Sequence, residues 1–402
     1  MKSDYKQTEV GALPHEWEVS SFGAMFNISA GGDVDPKRSR SYRDEIHRYP
    51  IYSNALPNFG LYGFCSYSDH PAGSITVTAR GMVGAANFRD HAYTAIGRVL
   101  VLDPKNEISG RYFSEVINSR VAFANESTGV PQLTAPQIAK YQLPVPPIAE
   151  QHAIADALND ADALLGALDR LIAKKRDLKQ AAMQQLLTGE KRLPGFHDAW
   201  ESKTLRHICE KIQDGTHFSP KMGGNDFLYV TSKNIRFGRL DMSTAQRISS
   251  AEHAKIYARC DVRKGDLLLT KDGANTGNAA LNSLNEPFSL LSSVAMLRFD
   301  SRRHVPGYFM HQILSAYGQS QIKEAMSGNA ITRLTLEKIN ALRFPIASLP
   351  EQIAIAEALS EMDAEIAALE QRRDKTRALK QGMMQELLTG KTRLVSPEAV
   401  HG

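Results

Sequence analysis

Apolar residues Ile154, Leu158, Ala161, Leu165, Leu168 and Ile172 follow one another in steps of four, three, four, three and four. Ile355, Leu359, Met362, Ile366 and Leu369 repeat those steps. This is the a/d spacing of a coiled-coil seam, and it predicts two long helices. Pro146-Pro147 and Pro350 stand where each would begin, a place that tolerates proline. Gly189 and Gly390 follow the last apolar turns, as C-terminal caps do. Each helix then runs for about 38 residues, roughly 55–60 Å at 1.5 Å per residue. The seams match in length and register, so the two helices are expected to pair with each other. Lys175, Arg176 and Lys179 take later seam positions, as do Arg373, Lys375 and Lys380. The plain expectation for these charges is a solvated face.

The two helices are copies. Glu150-Gln151 matches Glu351-Gln352, and Leu187-Thr188-Gly189 matches Leu388-Thr389-Gly390, both at an offset of 201. About half of the positions from 150 to 193 are identical to their partners. Such a duplication governs the reading of everything else. The segments between the copies are richer in Gly, Pro, Tyr, Phe and Thr. "SITVTARG" (74–81), "IGRVLVLD" (96–103), "FLYVTSKNI" (227–235) and "GDLLLTKDG" (265–273) read as strands. Residues 110–125 and 306–328 read as helices in matching places. Leu133, Thr134, Ile138 and Pro144 fall on Leu334, Thr335, Ile339 and Pro345, again offset by 201. Each segment opens alike, with "LPHEW" at 13–17 and "LPGFHDAW" at 193–200. The expected plan is a domain over 1–148, a helix over 149–190, a domain over 191–348, a helix over 349–392, and a tail over 393–402.

Composition narrows the class. The 402 residues are 42% hydrophobic and 23% charged, which suits a globular chain of two or three domains. The net charge of +4 permits a nucleic-acid partner without demanding one. Cys65, Cys209 and Cys260 lie far apart and form no C-x-x-C pair, so no zinc ribbon or dithiol site is expected. The sparse cysteines, the absence of a signal-type N-terminus and the lack of a long apolar run together suggest a cytoplasmic protein. No Asn/Asp-Pro-Pro-aromatic tetrapeptide is present to hold a base amine, and no G-x-x-x-x-G-K-[ST] phosphate loop. The chain is therefore not expected to be an enzyme. Asp226 and Asp272 could suggest a nuclease carboxylate pair, but no acidic, acidic, lysine constellation accompanies them.

The order of these parts resembles the specificity (S) subunit of Type I restriction–modification systems. The likeness rests on the "LP…W" openings, the "EQ…A…L" and "LKQ…MQ…LLTG…R" helices, "DGTHFSP" (214–220) and "YVTSKNI" (229–235), and it covers nearly the whole chain. It implies an α+β architecture: two α/β target-recognition domains separated by two long helices in an antiparallel coiled coil, with a pseudo-two-fold internal repeat. Each domain would read one half of a bipartite, asymmetric double-stranded DNA site. Two modification (methyltransferase) subunits, and restriction/translocase subunits in the full complex, would be the partners. S-adenosylmethionine, ATP and Mg would belong to those partners, leaving no cofactor and no metal site here. The rival reading is a coiled-coil scaffold that presents two protein-binding domains.

Base reading calls for forked or amide donors, and phosphate positioning calls for cations and small hydroxyls. In the first domain the candidates are Lys37, Arg38, Arg40, Arg43, Tyr52, Asn54, Arg80 and Asn87. In the second they are Thr216, His217, Lys221, Ser232, Lys233, Asn234, Arg236, Lys271, Asn275 and Thr276. No second His stands at ligand spacing from His217, so it is read as a structural or DNA-contacting residue. The apolar helix ends, Met183, Leu186 and Leu187 with Met384, Leu387 and Leu388, are expected to pack either on the adjoining globular domain or on a partner protein; if not buried in the chain, they are the candidate docking surface for modification subunits.

Overall fold

The computed structural model describes residues 5–124, 129–326 and 333–395. The chain divides into two compact units, one of residues 1–168 with 372–402 and the other of residues 169–371. The long helices Ile148–Leu187 and Leu349–Leu387 each contribute one half to either unit. No helix among the described residues is long and apolar enough to cross a membrane.

The first unit holds an antiparallel sheet in the order Phe26–Ala30, Val99–Pro104, Ser74–Thr78, Ala86–Arg89. Its strand Ser74–Thr78 is buried on both faces, and Ile75, Thr76, Val77 and Thr78 are all β-branched. A second sheet follows the order Thr94–Ala95, Tyr49–Tyr52, Leu61–Cys65, Ser39–Arg40. The helix Gly110–Arg120 packs Tyr112, Phe113, Val116 and Ile117 into the core. Ile154, Ala155 and Leu158 of one long helix join Leu387 of the other, and Leu388 just past its end, in that same core. Further along, Lys380 Nζ meets Asp162 Oδ2 at 2.6 Å. Residue numbers rise on one helix as they fall on the other, so the pairing is antiparallel.

The second unit repeats the plan. Its main sheet runs Cys209–Asp214, Val294–Phe299, Leu267–Thr270, Ala279–Leu281, and a smaller sheet joins Gln246–Ile248, Met222–Val230 and Ser289–Leu290. Here Met183 and Leu187 share a core with Ile355 and Leu359. Lys179 Nζ meets Asp363 Oδ1 at 2.5 Å, and these residues stand 201 positions from Lys380 and Asp162. Lys175 reaches Glu365 at 2.6 Å, and Arg176 pairs with Glu370. Of the seam charges expected on a solvated face, Lys175, Arg176, Lys179 and Lys380 therefore have partners across the helix pair, whereas Arg373 pairs with its neighbour Asp374 at 2.8 Å. Each exposed pair contributes only about 0.5 kcal/mol, so their effect is on register more than on stability.

Two other expectations change. Residues 306–328 form two helices, Pro306–Leu314 and Ala316–Met326, because Ser315 turns extended and its Oγ accepts from Gly318 N at 3.1 Å. Residues 125, 327 and 328 of the expected helices, and 396–402 of the expected tail, lie outside the described residues. The helix ends are not an open docking surface either. Met183, Leu187, Leu387 and Leu388 are buried in the cores of their own units, with Leu186 and Met384 packed against them. Burying them at home removes the apolar area that a partner would cover.

The repeated letters outside the seam tie each unit together. Glu150 is fully buried; it accepts Arg393 Nε at 2.5 Å, Arg393 Nη2 at 2.7 Å and Trp17 Nε1 at 2.9 Å. Glu351, also fully buried, accepts Arg192 Nε and Nη2 at 2.6 Å each and Trp200 Nε1 at 2.9 Å. Gln151 Oε1 accepts from Ser109 N at 2.9 Å and its Nε2 donates to Pro146 O at 2.8 Å. Gln352 does the same with Val305 N at 3.0 Å and Ala347 O at 2.8 Å. Gly189 and Gly390 leave the helices at φ +75° and +68°, and a Cβ on Gly390 would strike Pro14 Cγ at 2.5 Å. R393A strands the Glu150 carboxylate without its cation. The expected loss is about 3 kcal/mol of unfolding free energy, read by urea denaturation.

His311 is fully buried, and neither ring nitrogen has a hydrogen-bond partner among the described residues. Burial pushes its pKa down to about 4; nearby Lys179 adds to the shift and Asp363 opposes it. The unfolded imidazole binds its proton near pH 6.5. The contribution is therefore intact above that value and is lost as pH falls from there toward 4. H311L should flatten the decline in stability between pH 6.5 and 4, measured by denaturant titration across that range.

Candidate nucleic-acid interface

At one end of the main sheet in the first unit, four segments at strand ends are sewn together by backbone hydrogen bonds, and Leu133 ties a fifth segment to them. Gly31 N donates to Val99 O (2.8 Å), Gly32 N to Ala95 O (2.9 Å) and Gly97 N to Gly32 O (2.9 Å). Ile96 N donates to Tyr52 O (2.9 Å), Ala79 N to Arg98 O (2.9 Å) and Leu133 N to Ala79 O (2.8 Å). The segments after the strands Phe26–Ala30, Tyr49–Tyr52 and Ser74–Thr78 thus meet at the turn before Val99–Pro104.

The second unit reproduces each bond in turn. Gly215 N donates to Val294 O (3.3 Å), Thr216 N to Leu290 O (2.8 Å) and Ser292 N to Thr216 O (2.9 Å). Leu291 N donates to Val230 O (3.0 Å), Lys271 N to Ser293 O (2.9 Å) and Leu334 N to Lys271 O (3.2 Å). A Cβ on Gly31 would lie 2.4 Å from Ile96 O, and one on Gly215 would lie 2.0 Å from Leu290 O, so only glycine fits at either crossing.

Side chains on this shared frame differ. Ala30, Gly32, Asn54, Ala79, Arg80 and Arg98 occupy the places of Asp214, Thr216, Ser232, Lys271, Asp272 and Ser293. In the second unit Lys271 and Asp214 form a buried ion pair at 3.2 Å. His217 Nε2 and Arg259 Nη2 approach the same carboxylate at 3.1 and 3.5 Å. The first unit has two alanines where that buried pair stands. One backbone frame thus carries two chemically unlike surfaces.

The structure sorts the candidate residues. Asn54 Nδ2 donates to Arg80 O at 3.0 Å, which joins two loops of the first cluster and leaves the Arg80 side chain exposed. Asn275 Nδ2 donates to Ser232 O at 3.4 Å in the second. Lys233 and His217 are exposed, Arg236 sits 3.5 Å from Asp241, and Thr276 Oγ1 donates to Gly273 O at 2.7 Å. Lys37, Arg38, Arg40 and Arg43 are exposed along the edge strand Ser39–Arg40, with Arg38 stacked 4.2 Å above Tyr67. Asn87 lies mid-strand opposite Thr76, away from the loops. Lys221 is exposed and its backbone N donates to Glu252 Oε2 at 3.4 Å.

Four candidates are corrected from contact to support, because their side chains are buried and already engaged. Tyr52 lies beneath the Arg89 guanidinium, 3.4 Å from its ring centroid. Thr216 Oγ1 accepts from Phe218 N at 3.2 Å. Asn234 holds Thr231 N at 3.0 Å and Asp241 O at 3.0 Å. Lys271 is the buried partner of Asp214. Asp226 and Asp272 do not converge, since the first accepts from Ser250 N at 2.8 Å and the second pairs with Arg333 at 3.3 Å. Among the described residues no group of three or more His, Cys, Asp or Glu could hold a metal ion.

Reading by residue type missed Arg89 and Arg98. Arg89 is buried, with no ion-pair contact to a carboxylate among the described residues; its Nε donates to Thr76 Oγ1 at 3.0 Å and its Nη2 to Phe59 O at 2.7 Å. Burial weakens its hold on the proton, and Tyr52 acts against that. It fixes a loop in which Asn58 and exposed Phe59 adopt positive φ (49° and 53°). Arg98 lies in the turn at the centre of the first cluster. The local signal for it was a glycine-arginine pair between two strands, which pattern alone does not separate from an ordinary hairpin.

Comparisons with known proteins agree with this duplicated plan. The chain is 23% identical over 311 residues to the Type I restriction enzyme MjaVIII specificity subunit of Methanocaldococcus jannaschii, covering 73% of each chain. It is 21% identical to the putative type I restriction enzyme MjaX specificity subunit of the same organism, covering 98% of this chain and 97% of that one. Its fold is similar to the crystal structure of the Type-I restriction-modification system S subunit from M. genitalium, with a TM-score of 0.67 and 16% identity over 96% of this chain and 99% of that one. The family described as Type I restriction modification DNA specificity domain matches twice, at residues 14–174 and 197–377. With both halves of the duplication matched, the chain belongs to the type I restriction–modification specificity subunits and carries two target-recognition domains.

Proposed function

We propose that each recognition domain reads one half of a bipartite, asymmetric DNA site through its four-segment loop cluster. The observation that carries this reading is the six-bond backbone frame, identical in both units, beneath side chains that differ at nearly every exposed place. A constant frame presents the loops to the same duplex geometry, while unlike donors and acceptors read unlike base edges. Exposed Arg80, Lys233 and His217 supply direct contacts, and the basic edge from Lys37 to Arg43 positions the phosphate backbone. Phe59 and Phe237, both exposed, both seven residues past the end of a recognition strand and both followed by a positive-φ glycine, lie on the same loops.

The chain acts without chemistry of its own. It brings two methyltransferase subunits, and restriction/translocase subunits in the full complex, to the site it reads. S-adenosylmethionine, ATP and Mg belong to those subunits, a division supported by the missing base-amine tetrapeptide and phosphate loop. Gly390-Lys391-Thr392 resembles the end of such a loop, but it is a helix exit without a strand before it. The long helices are unbroken over 40 and 39 residues and set the distance between half-sites.

Co-expression with methyltransferase subunits, followed by genome-wide mapping of methylated adenine, should reveal one split motif that vanishes when this chain is omitted. Methylation that persists unchanged without the chain would favour the scaffold reading instead. Inserting four residues near Leu168, with four more at the facing position of the second helix, lengthens the pair by about 6 Å, or roughly two base pairs. The half-sites should stay the same and the gap should grow; an unaltered gap refutes the ruler.

A further inference from the structure

Only three non-glycine residues among those described adopt positive φ, and Arg98, at 77°, is one of them. Both sides of it are locked. Its carbonyl accepts from Ala79 N, Gly97 N donates to Gly32 O, and Val99 is already paired in the sheet with Thr78. The strain is thus imposed by the surroundings. The frame itself does not require it, because Ser293 occupies the equivalent place in the second unit without positive φ. Glycine, the residue suited to this turn position, stands one place early at Gly97. The chain therefore keeps an arginine where glycine would relieve the backbone.

The side chain is exposed, and its guanidinium has no hydrogen-bond or ion-pair partner among the described residues. It stands beside an open floor, since a Cβ built on Gly32 or Gly97 meets nothing within 4 Å. A duplex edge can therefore approach the backbone closely around it. A phosphate contact tolerates a loosely held cation, whereas a two-pronged contact to a base edge needs the arginine's origin and direction fixed.

We propose that Arg98 reads a guanine in the half-site of the first recognition domain, donating both prongs of its guanidinium to O6 and N7 in the major groove. This rests on the reading that the loop cluster faces DNA. The strained turn aims the side chain, and the glycine floor gives the base pair room.

The test uses the complete chain co-expressed with methyltransferase subunits, with R98G, R98K and R80A compared by methylated-adenine mapping and thermal melting. R98G removes the fork and relieves the backbone. Its melting temperature should hold or rise, while discrimination at one G·C position of one half-site falls about ten-fold. The other half-site and the gap should not change. R98K, which keeps the charge but loses the fork, should relax the same position. An unchanged motif in R98G overturns the proposal, as do a half-site made only of A·T pairs and a uniform loss of methylation with lowered melting temperature. R80A separates the two levels: if it alters the motif and R98G does not, only the role of Arg98 fails. If neither alters it, the loop-cluster reading fails too.

Discussion

A buried carboxylate at the head of each long helix is the constraint on which the rest depends. Glu150 and Glu351 are fully buried, and each is held by an arginine fork and a tryptophan N–H. An ion in such a place is tolerated only when its partners are all present. Those partners come from distant parts of the sequence: Arg393 from beyond the last helix and Trp17 from the opening of the first domain. The tie therefore closes the C-terminal segment onto the N-terminal domain, as Arg192 and Trp200 close the middle of the chain onto the second helix. The neighbouring glutamines then fix the entry of each helix against its domain.

With that anchor in place, the helix seam has modest work to do. Its apolar half buries Ile154 and Leu158 against Leu387, or Ile355 and Leu359 against Met183 and Leu187. Its charged half adds lysine–aspartate pairs at the same repeat positions in each unit. Exposed pairs of this kind are weak stabilisers, but a slip of one helical turn would carry Lys179 from Asp363 to the apolar neighbourhood of Leu359 or Ile366. The seam thus defines a register that the buried ties then secure.

The recognition domains divide their sequence between a frame and a surface. Glycines at 31 and 215 permit the backbone crossing, and six hydrogen bonds fix the loops, so the side chains above them are free to vary. The buried Lys271–Asp214 pair against Ala79 and Ala30 shows how far they have varied. The ion pair is buried, whereas of the two alanines only Ala79 is, and only the ion pair draws His217 and Arg259 to its carboxylate.

Much of this was legible in the sequence. Heptad steps and a constant offset of 201 predicted two helices, their capping glycines and a duplicated plan, because helix period and chain repeat are local properties of the string. The helix break at Ser315 was not legible, since it depends on a hydroxyl that caps the next helix. Nor could residue type tell which candidate side chains face outward. Tyr52, Thr216, Asn234 and Lys271 carry the chemistry expected of an interface, yet tertiary packing turned them inward to hold the loops. Met183 and Leu187 looked like an open apolar end, and the core of their own unit covered them. Arg98 shows the converse: an unremarkable letter in a short turn became an exposed cation on a backbone held at positive φ, because hydrogen bonds from neighbouring segments fixed the turn. Periodicity and repetition are written along the chain, whereas burial and aim are set by which distant segments meet.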